Sequence, residues 1–351
     1  MNDTKLNSRQ FQILDFLAFK PLSRLELEKL LSKENNISKI TLLRDLDSLI
    51  SEKLVSTQGR GKKTIYLSNQ NPALRVIDID KYFEENSEIR KSAKSEFDFK
   101  IFDNIKDLFE ASEKENITKD SISFDERGKT IDPTLYKREI ERFTVEFAWK
   151  SSKIEGNTYT LLETEALIKN AKEAVGHSRY EAIMILNHKK AIDFILLNKS
   201  YFKELTLKKV IKLHSILTNE LEVTQGIREG AVAITGTVYV PLFGALKLKK
   251  ALEETVKLIN KADFPLEKAL IASSMIAYIQ GFNDGNKRTA RTLANALLIS
   301  NNYYPLSYRD IKESDYIKNL ILFYEQTTLF GLKQLLVDQY IFSQENYFRI
   351  N

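Results

Sequence analysis

The chain has 351 residues, 43% hydrophobic and 29% charged, a soluble globular composition with enough length to bury a sizeable core in two or more domains. Its 53 basic and 48 acidic residues leave a net charge of +5, too small to mark the whole chain as nucleic-acid-binding, so any basic surface must be local. The absence of cysteine excludes disulfides and thiolate zinc sites, and three widely spaced histidines argue against a histidine metal cluster.

The N-terminal MNDTKLNSRQFQ lacks the apolar core of a signal peptide, and no run of about 18 apolar residues suggests a membrane span. The expectation is a cytoplasmic protein with no membrane partner. With six prolines and twelve glycines, a mostly helical chain with few sheet turns is expected. Phe11, Ile13, Leu14 and Leu17 mark a first amphipathic helix. Ser23 to Leu31 reads as a second, with Ser23 as N-cap and Glu26 completing a capping box. A third begins near Ser38 and carries Ile40, Leu43, Leu46 and Leu49 at helical spacing, and Leu54 and Val55 then lead to GRGKKTIYL, a basic turn followed by a short strand.

Three helices and a basic hairpin resemble the winged helix-turn-helix modules of transcriptional regulators, over residues 1–70. The resemblance implies DNA as a partner. Lys39, Thr41 and Arg44, with Leu42 and Asp45, would lie on or near the exposed face of the third helix, and Arg60, Lys62 and Lys63 would meet phosphates. Asp45 and Asp47 repel phosphate, so use of the module for protein contacts or dimerisation stays open.

Residues 71–130 read as a helical linker, with Tyr82, Phe97, Ile101, Phe102, Ile105 and Phe109 at spacings that suggest one or two helices with a charged face. SFDERGKTIDP reads as a surface loop. From Pro133 the pattern is helical through Trp149, followed by SSKIEGNTYTLLETEALI and two further helices, Tyr180 to Leu197 and Lys209 to Leu217. His188 and His214 on those helices read as structural, and His177 in its Gly-His-Ser loop as plain surface. In GIREGAVAITGTVYVP, residues 226–241, the period changes to two and predicts a β-hairpin around Gly236.

The most informative stretch is YIQGFNDGNKRTAR, residues 278–291, a polar loop between two apolar helical runs. Gly285 permits a tight turn, a helix starting near Asn286 would aim free N–H groups into the loop, and Lys287, Arg288 and Arg291 add three cations within five residues. Asp284 offers a hard oxygen ligand to a divalent ion. Polyphosphate with magnesium fits this set; a glycine-containing loop with a solvated basic helix start remains the plain alternative.

At Phe282, Asp284, Gly285, Asn286, Lys287, Arg288 and Arg291 the loop resembles the signature of the Fic/Doc family, H-x-F-x-[D/E]-G-N-[G/K]-R-x-x-R. The signature histidine falls on Gln280 and the proline that often follows it on Gly281. The resemblance implies a mainly α Fic-type helical bundle over residues 131–351, with the 226–241 hairpin as a flap that aligns a target segment through Val232, Ile234, Gly236 and Tyr239. It implies ATP and Mg²⁺ as cofactors: Asp284 would bind the metal, Asn286 and the loop N–H groups the α-phosphate, Arg288 the β-phosphate and Arg291 the γ-phosphate. Phe282, Asn283, Gly285 and Lys287 would complete the nucleotide site. Ser151, Glu155 and Gly156 match the family's inhibitory motif [S/T]-x-x-x-E-[G/N], in which the glutamate pairs with the arginine at 291 and denies the γ-phosphate its seat. The partners implied are a nucleotide, a protein target presenting Ser, Thr or Tyr, and a second copy in a homodimer.

In the family reaction the target hydroxyl attacks the α-phosphate while the signature histidine takes its proton. A carboxamide at Gln280 has no useful basicity, and loss of a general base costs roughly 10²–10⁴ in rate. Three readings are open: a nucleotide-binding relative of the protein adenylyltransferases with weak, altered or absent transfer; a pseudoenzyme whose pocket regulates the winged helix as a nucleotide-sensing transcription regulator; and a phosphotransferase similar to Doc toxins, suggested by Lys287.

Overall fold

The computed structural model describes residues 6–32, 37–84, 90, 93–119 and 123–348. The chain divides into two compact units, Met1–Lys91 with Thr327–Gly331, and Ser92–Gln326 with Leu332–Asn351.

In the first unit, α1 (Ser8–Phe19), α2 (Arg24–Leu31) and α3 (Lys39–Ser51) begin at side-chain caps, because Asn7, Ser23 and Ser38 each accept a hydrogen bond from a free N–H of the first turn. The predicted Ser23–Glu26 capping box is present. Three short strands, β1 (Leu22–Ser23), β2 (Val55–Gln58) and β3 (Ile65–Ser68), form an antiparallel sheet in the order β1-β3-β2, with Thr57 opposite Tyr66. The basic turn between β2 and β3 contains one turn of 3₁₀ helix at Gly61–Lys63. Ile13, Leu14, Leu27, Leu42, Leu46, Leu49 and Val55 close the core beneath the sheet. α4 (Ile79–Glu84) follows.

Two expectations for α3 change. Leu42 is buried, and Asp45 turns inward, where Arg9 Nε donates to it at 2.8 Å and Asn7 Nδ2 at 3.2 Å. The helical period explains this: position 45 lies one turn after Leu42 and one residue before Leu46, on the face that covers α1. Lys39, Arg44 and Asp47 are exposed and Thr41 half-buried; Arg60 and Lys63 are exposed on the turn, while the side chain of Lys62 lies outside the described residues.

The second unit is helical. It contains α5 (Ile101–Asn104), α6 (Ala111–Thr118), α7 (Phe124–Thr130), α8 (Pro133–Lys153), α9 (Leu161–Asn170), α10 (Arg179–Leu197), α11 (Leu207–Leu217), α12 (Ala245–Lys261), α13 (Pro265–Ile279), α14 (Asn286–Ser300), α15 (Glu313–Gln326) and most of α16 (Phe330–Asn346). α13 and α14 form its centre: every residue from Leu293 to Ser300 is buried, as is most of α13. Helices buried on nearly all sides must be wrapped by others, and α10, α11, α12 and α15 do so.

SFDERGKTIDP is not a loop. Ser123 and Glu126 form a capping box at the start of α7 and Phe124 is fully buried, packed edge-on against Tyr304 and Phe348. Residues 226–241 differ in the other direction. Val232 and Ile234 alternate in exposure with their neighbours as a strand would, yet no strand is formed there. The segment's hydrogen bonds run outward instead of across a hairpin: Val240 N–H donates to Ser95 O, and Val238 N–H and Thr237 Oγ1 donate to Glu325. Among the described residues no helix is long and apolar enough to cross a membrane.

Candidate functional site

α13 ends at Gln280 in the left-handed conformation, φ 51° and ψ 52°, and the loop to α14 closes at Gly285, φ 79°. A Cβ at Gly285 would lie 2.9 Å from Thr218 Cγ2, so both backbone conformation and space require glycine there. A Cβ at Gly281 would meet Leu252 Cδ1 at 2.8 Å, so a larger residue there requires the Leu252 side chain to shift. Asn286 staples the turn: its Oδ1 accepts from Phe282 N–H at 2.9 Å and its Nδ2 donates to Phe282 O at 2.8 Å. The Asn286 side chain thus has a structural role in shaping the loop. The first turn of α14 still presents N–H groups that the helix itself leaves unpaired, with the positive end of its dipole behind them.

Arg228 fixes the loop from outside. It is buried, its Nε donates to Gln280 O at 2.5 Å, its two terminal nitrogens donate to Gly230 O and to Leu242 O, and its backbone N–H donates to Gly281 O. Burial lowers its pKa, and among the described residues it has no acidic partner within 4 Å. Below the loop, His214 stacks on Phe282 with ring centroids 3.9 Å apart and lies 2.9 Å from Asp284 O through Nε2. Tyr239, predicted as a flap residue, is an anchor instead: it is buried, stacks on Tyr278 at 4.7 Å and donates to Tyr278 O. Val232, Ile234 and Gly236 stay at or near the surface.

The cations of α14 face acids. Arg291, fully buried, donates through Nη2 to Glu155 Oε1 at 2.8 Å and to Ser151 O at 2.8 Å, and through Nε to Ser151 Oγ at 3.0 Å. Lys287 Nζ lies 3.0 Å from the other Glu155 oxygen. Burial alone would raise the Glu155 pKa, but the charges and hydrogen bonds of Arg291 and Lys287 outweigh it and hold the carboxyl at about 2. Gly156, with φ 91°, turns the chain away after α8. Arg288 donates to Asp284 Oδ2 at 2.8 Å, and Tyr180 donates to the same oxygen at 3.0 Å. Nη1 of Arg288 and Nη1 of Arg291 are buried without a well-formed hydrogen bond, with the hydroxyl of Tyr316 beside Arg291 and that of Tyr180 beside Arg288. Guanidinium donors beside a helix N-terminus are groups that could hold an anion.

Thus the structure brings together Ser151, Glu155, Lys287, Arg288 and Arg291, with Gln280, Phe282, Asp284, Gly285 and Asn286 forming the loop; Asn283 is exposed at its tip. Gln280 points back into its own helix, Nε2 donating to Ala277 O at 2.7 Å. Sequence reasoning missed the Lys287–Glu155 contact and the role of Tyr180, which no spacing announces, and misjudged His177: its ring packs 4.2 Å from Tyr159 and Nδ1 lies 2.8 Å from Thr158 Oγ1.

Residues 204–298 match the model of the Fic/DOC family. The chain is 27% identical over 195 residues to the protein adenylyltransferase Fic of Nematostella vectensis, covering 52% of this chain and 44% of that one. Its identity to the protein of the same name from Aedes aegypti is 30% over 178 residues, covering 48% and 35%. The chain spans less than half the length of these curated relatives. Among solved structures, Fic-1 from C. elegans superposes with a TM-score of 0.54 at 18% identity, over 71% of this chain and 70% of that one. A Fic domain containing signaling protein from Bacteroides thetaiotaomicron does so with a TM-score of 0.51 at 21% identity, over 67% and 99%. These likenesses establish the fold, and the loop at 280–291 lies inside the matched segment. Residues 204–298, which include the loop, are thus a Fic/DOC family segment.

Proposed function

We propose that the loop at 280–291 binds the phosphates of ATP with Mg²⁺, in a protein related to the Fic adenylyltransferases whose AMP transfer to a target Ser, Thr or Tyr is weak, altered or absent. The observation that carries this reading is the opposition of Glu155 and Arg291: a largely buried carboxylate occupies a fully buried guanidinium near a helix N-terminus. A terminal phosphate competes with the carboxylate for that guanidinium, so Glu155 acts as an inhibitory latch.

The residues present fit magnesium. It keeps water and phosphate oxygens as most of its ligands and needs one or two carboxylates, and Asp284, half-exposed and held by Arg288 and Tyr180, is a single available carboxylate. Among the described residues no group of three acids or histidines forms a protein-only metal cage. When bound, the ion would neutralise phosphate charge beside Asp284. The loop N–H groups and Arg288 orient the phosphates, and Arg228 pins the Gln280 carbonyl so that the loop keeps its shape. Gln280 supplies no base for the target hydroxyl.

A second reading, nucleotide sensing by a regulator that binds DNA through its first unit as a winged helix, is favoured by the inward turn of Asp45. That turn leaves Lys39 and Arg44 exposed with only Asp47 as an outward acid among α3's aspartates. Calorimetry with ATP on the wild type and Arg291→Ala tests binding, and labelling of Glu155→Gly with α- or γ-labelled ATP tests transfer. Label from the α position identifies nucleotidyl transfer and label from γ alone a phosphotransferase. Binding without label identifies the sensor, and no binding by either protein overturns the proposal.

A further inference from the structure

The latch does not end at Ser151. The Ser151 oxygen that accepts from Arg291 Nε also lies 2.9 Å from Nε2 of His188 on α10, and the opposite ring nitrogen, Nδ1, lies 2.9 Å from Met184 O. A carbonyl accepts only, so Nδ1 carries the proton, with the more distant Ser152 Oγ at 3.4 Å as a second acceptor, and Nε2 of the neutral ring presents a lone pair. The Ser151 hydroxyl must then donate to Nε2, and its own lone pairs are turned toward Arg291. Every direction in the chain is fixed: Arg291 Nε donates to Ser151 Oγ, Ser151 donates to His188, and His188 donates to Met184 O.

We propose that His188 is a positioning residue for the Glu155–Arg291 latch, setting through Ser151 how firmly Arg291 is withheld from a terminal phosphate. The proposal rests on the reading of Glu155 as an inhibitory latch. His188, Ser151 and Arg291 are each fully buried, so no solvent water replaces a lost partner, and removing one leaves a polar group stranded. Burial and the nearby cations Arg288 and Arg291 keep the ring neutral, with its pKa lowered to about 3. Phe147 packs edge-on against the ring at 5.7 Å and holds its plane.

The test is calorimetry of MgATP and MgADP binding to wild type, Glu155→Gly, His188→Phe, His188→Gln and Ser151→Ala, with His188→Phe repeated in the Glu155→Gly background. Loss of one buried hydrogen bond from the latch shifts its equilibrium on the order of 2- to 10-fold. His188→Phe and Ser151→Ala are expected to tighten ATP by that factor and leave ADP unchanged, because ADP lacks the phosphate that competes for Arg291. His188→Gln, which restores an acceptor, is expected to return ATP affinity toward wild type, and His188→Phe to add nothing once Glu155 is gone. A role in packing alone would alter both nucleotides together. If Glu155→Gly tightens ATP while neither His188→Phe nor Ser151→Ala does, the role of His188 is overturned and the latch stands; if Glu155→Gly leaves ATP affinity unchanged, the latch itself falls, and this inference with it. Ser151→Ala keeps the test decisive if His188→Phe fails to fold.

Discussion

Glu155 Oε1 sits 2.8 Å from Arg291 Nη2 across 136 residues of sequence, joining the segment just past the end of α8 to α14. Its carboxyl is held at about 2 against an ordinary 4.5, so the native state keeps it ionised where the unfolded chain takes up a proton. The stabilisation is complete above pH 4.5 and is lost as pH falls through 2. Comparing the wild type with Glu155→Gln by denaturant unfolding, the stability difference is expected to be flat from pH 5 to 8 and to shrink between 4.5 and 2. At neutral pH the variant leaves Arg291 buried and short of a partner, a loss of roughly 3–5 kcal/mol for a broken buried pair, moderated here by Lys287 and Ser151. A difference that grows on acidification contradicts this assignment.

His188 contributes with the opposite chemistry and the same direction. It is a base whose folded pKa, about 3, lies below the ordinary 6.5, so the unfolded state binds the extra proton between these values. Stability from this group is whole above pH 6.5 and declines by about 1.4 kcal/mol per pH unit below it, until pH 3. His188→Phe is expected to remove that part of the slope, read from unfolding free energies at pH 7, 6, 5 and 4. An unchanged slope in the variant contradicts a buried neutral ring.

Arg228 carries a charge into the interior on carbonyls alone. A lysine there keeps the charge but cannot fan three donors in one plane to Gln280, Gly230 and Leu242. Arg228→Lys is expected to cost about 3 kcal/mol, from stranded carbonyls, and to weaken ATP binding because the loop loses its outer clamp. Denaturant unfolding with parallel calorimetry checks both. A variant that is destabilised yet binds ATP as before would separate Arg228 from the loop.

Much of this was legible in the sequence because it was local. Caps at Ser23 and Ser38, the glycine at 285 and the cation spacing of α14 depend on neighbours three or four residues away. The Glu155–Arg291 contact was legible only through a family resemblance, since nothing in periodicity joins positions 136 residues apart. Strand pairing at 226–241 was misjudged because alternation tells which side chains face inward and not whether a partner strand exists. Asp45 was misplaced because its partners, Arg9 and Asn7, lie on another helix. The position of Lys287 beside Glu155 had no sequence signal, because a lysine in a phosphate loop reads first as a phosphate ligand.

For the first unit, the proposed winged-helix reading has duplex DNA met by residues that are exposed, Arg60 and Lys63 on the turn and Lys39 and Arg44 on α3. Arg60→Ala with Lys63→Ala is expected to lower the slope of log affinity against log salt by about 2, with binding weakened alike on unrelated sequences. Fluorescence anisotropy on a duplex from about 50 to about 300 mM salt, across which screening rises as the Debye length shortens, reads the slope. Binding with no salt dependence, or none at all, assigns this module to protein contacts.

Restoring the missing base is the sharpest test of the loop. Gln280 holds φ 51° and ψ 52°, a conformation that histidine enters more readily than most side chains, and Arg228 and Ile276 hold its backbone whatever the side chain is. Gln280→His therefore exchanges a carboxamide without basicity for an imidazole with little change to the loop. In the Glu155→Gly background, where Arg291 is released, transfer of label from α-labelled ATP to protein is expected to rise roughly 10²–10⁴-fold over Glu155→Gly alone. The same exchange without Glu155→Gly is expected to give far less, since the latch still withholds Arg291 from the terminal phosphate. If the double variant binds ATP and gains no α label, proton removal is not what limits this site, and the loop serves to hold a nucleotide rather than to spend it.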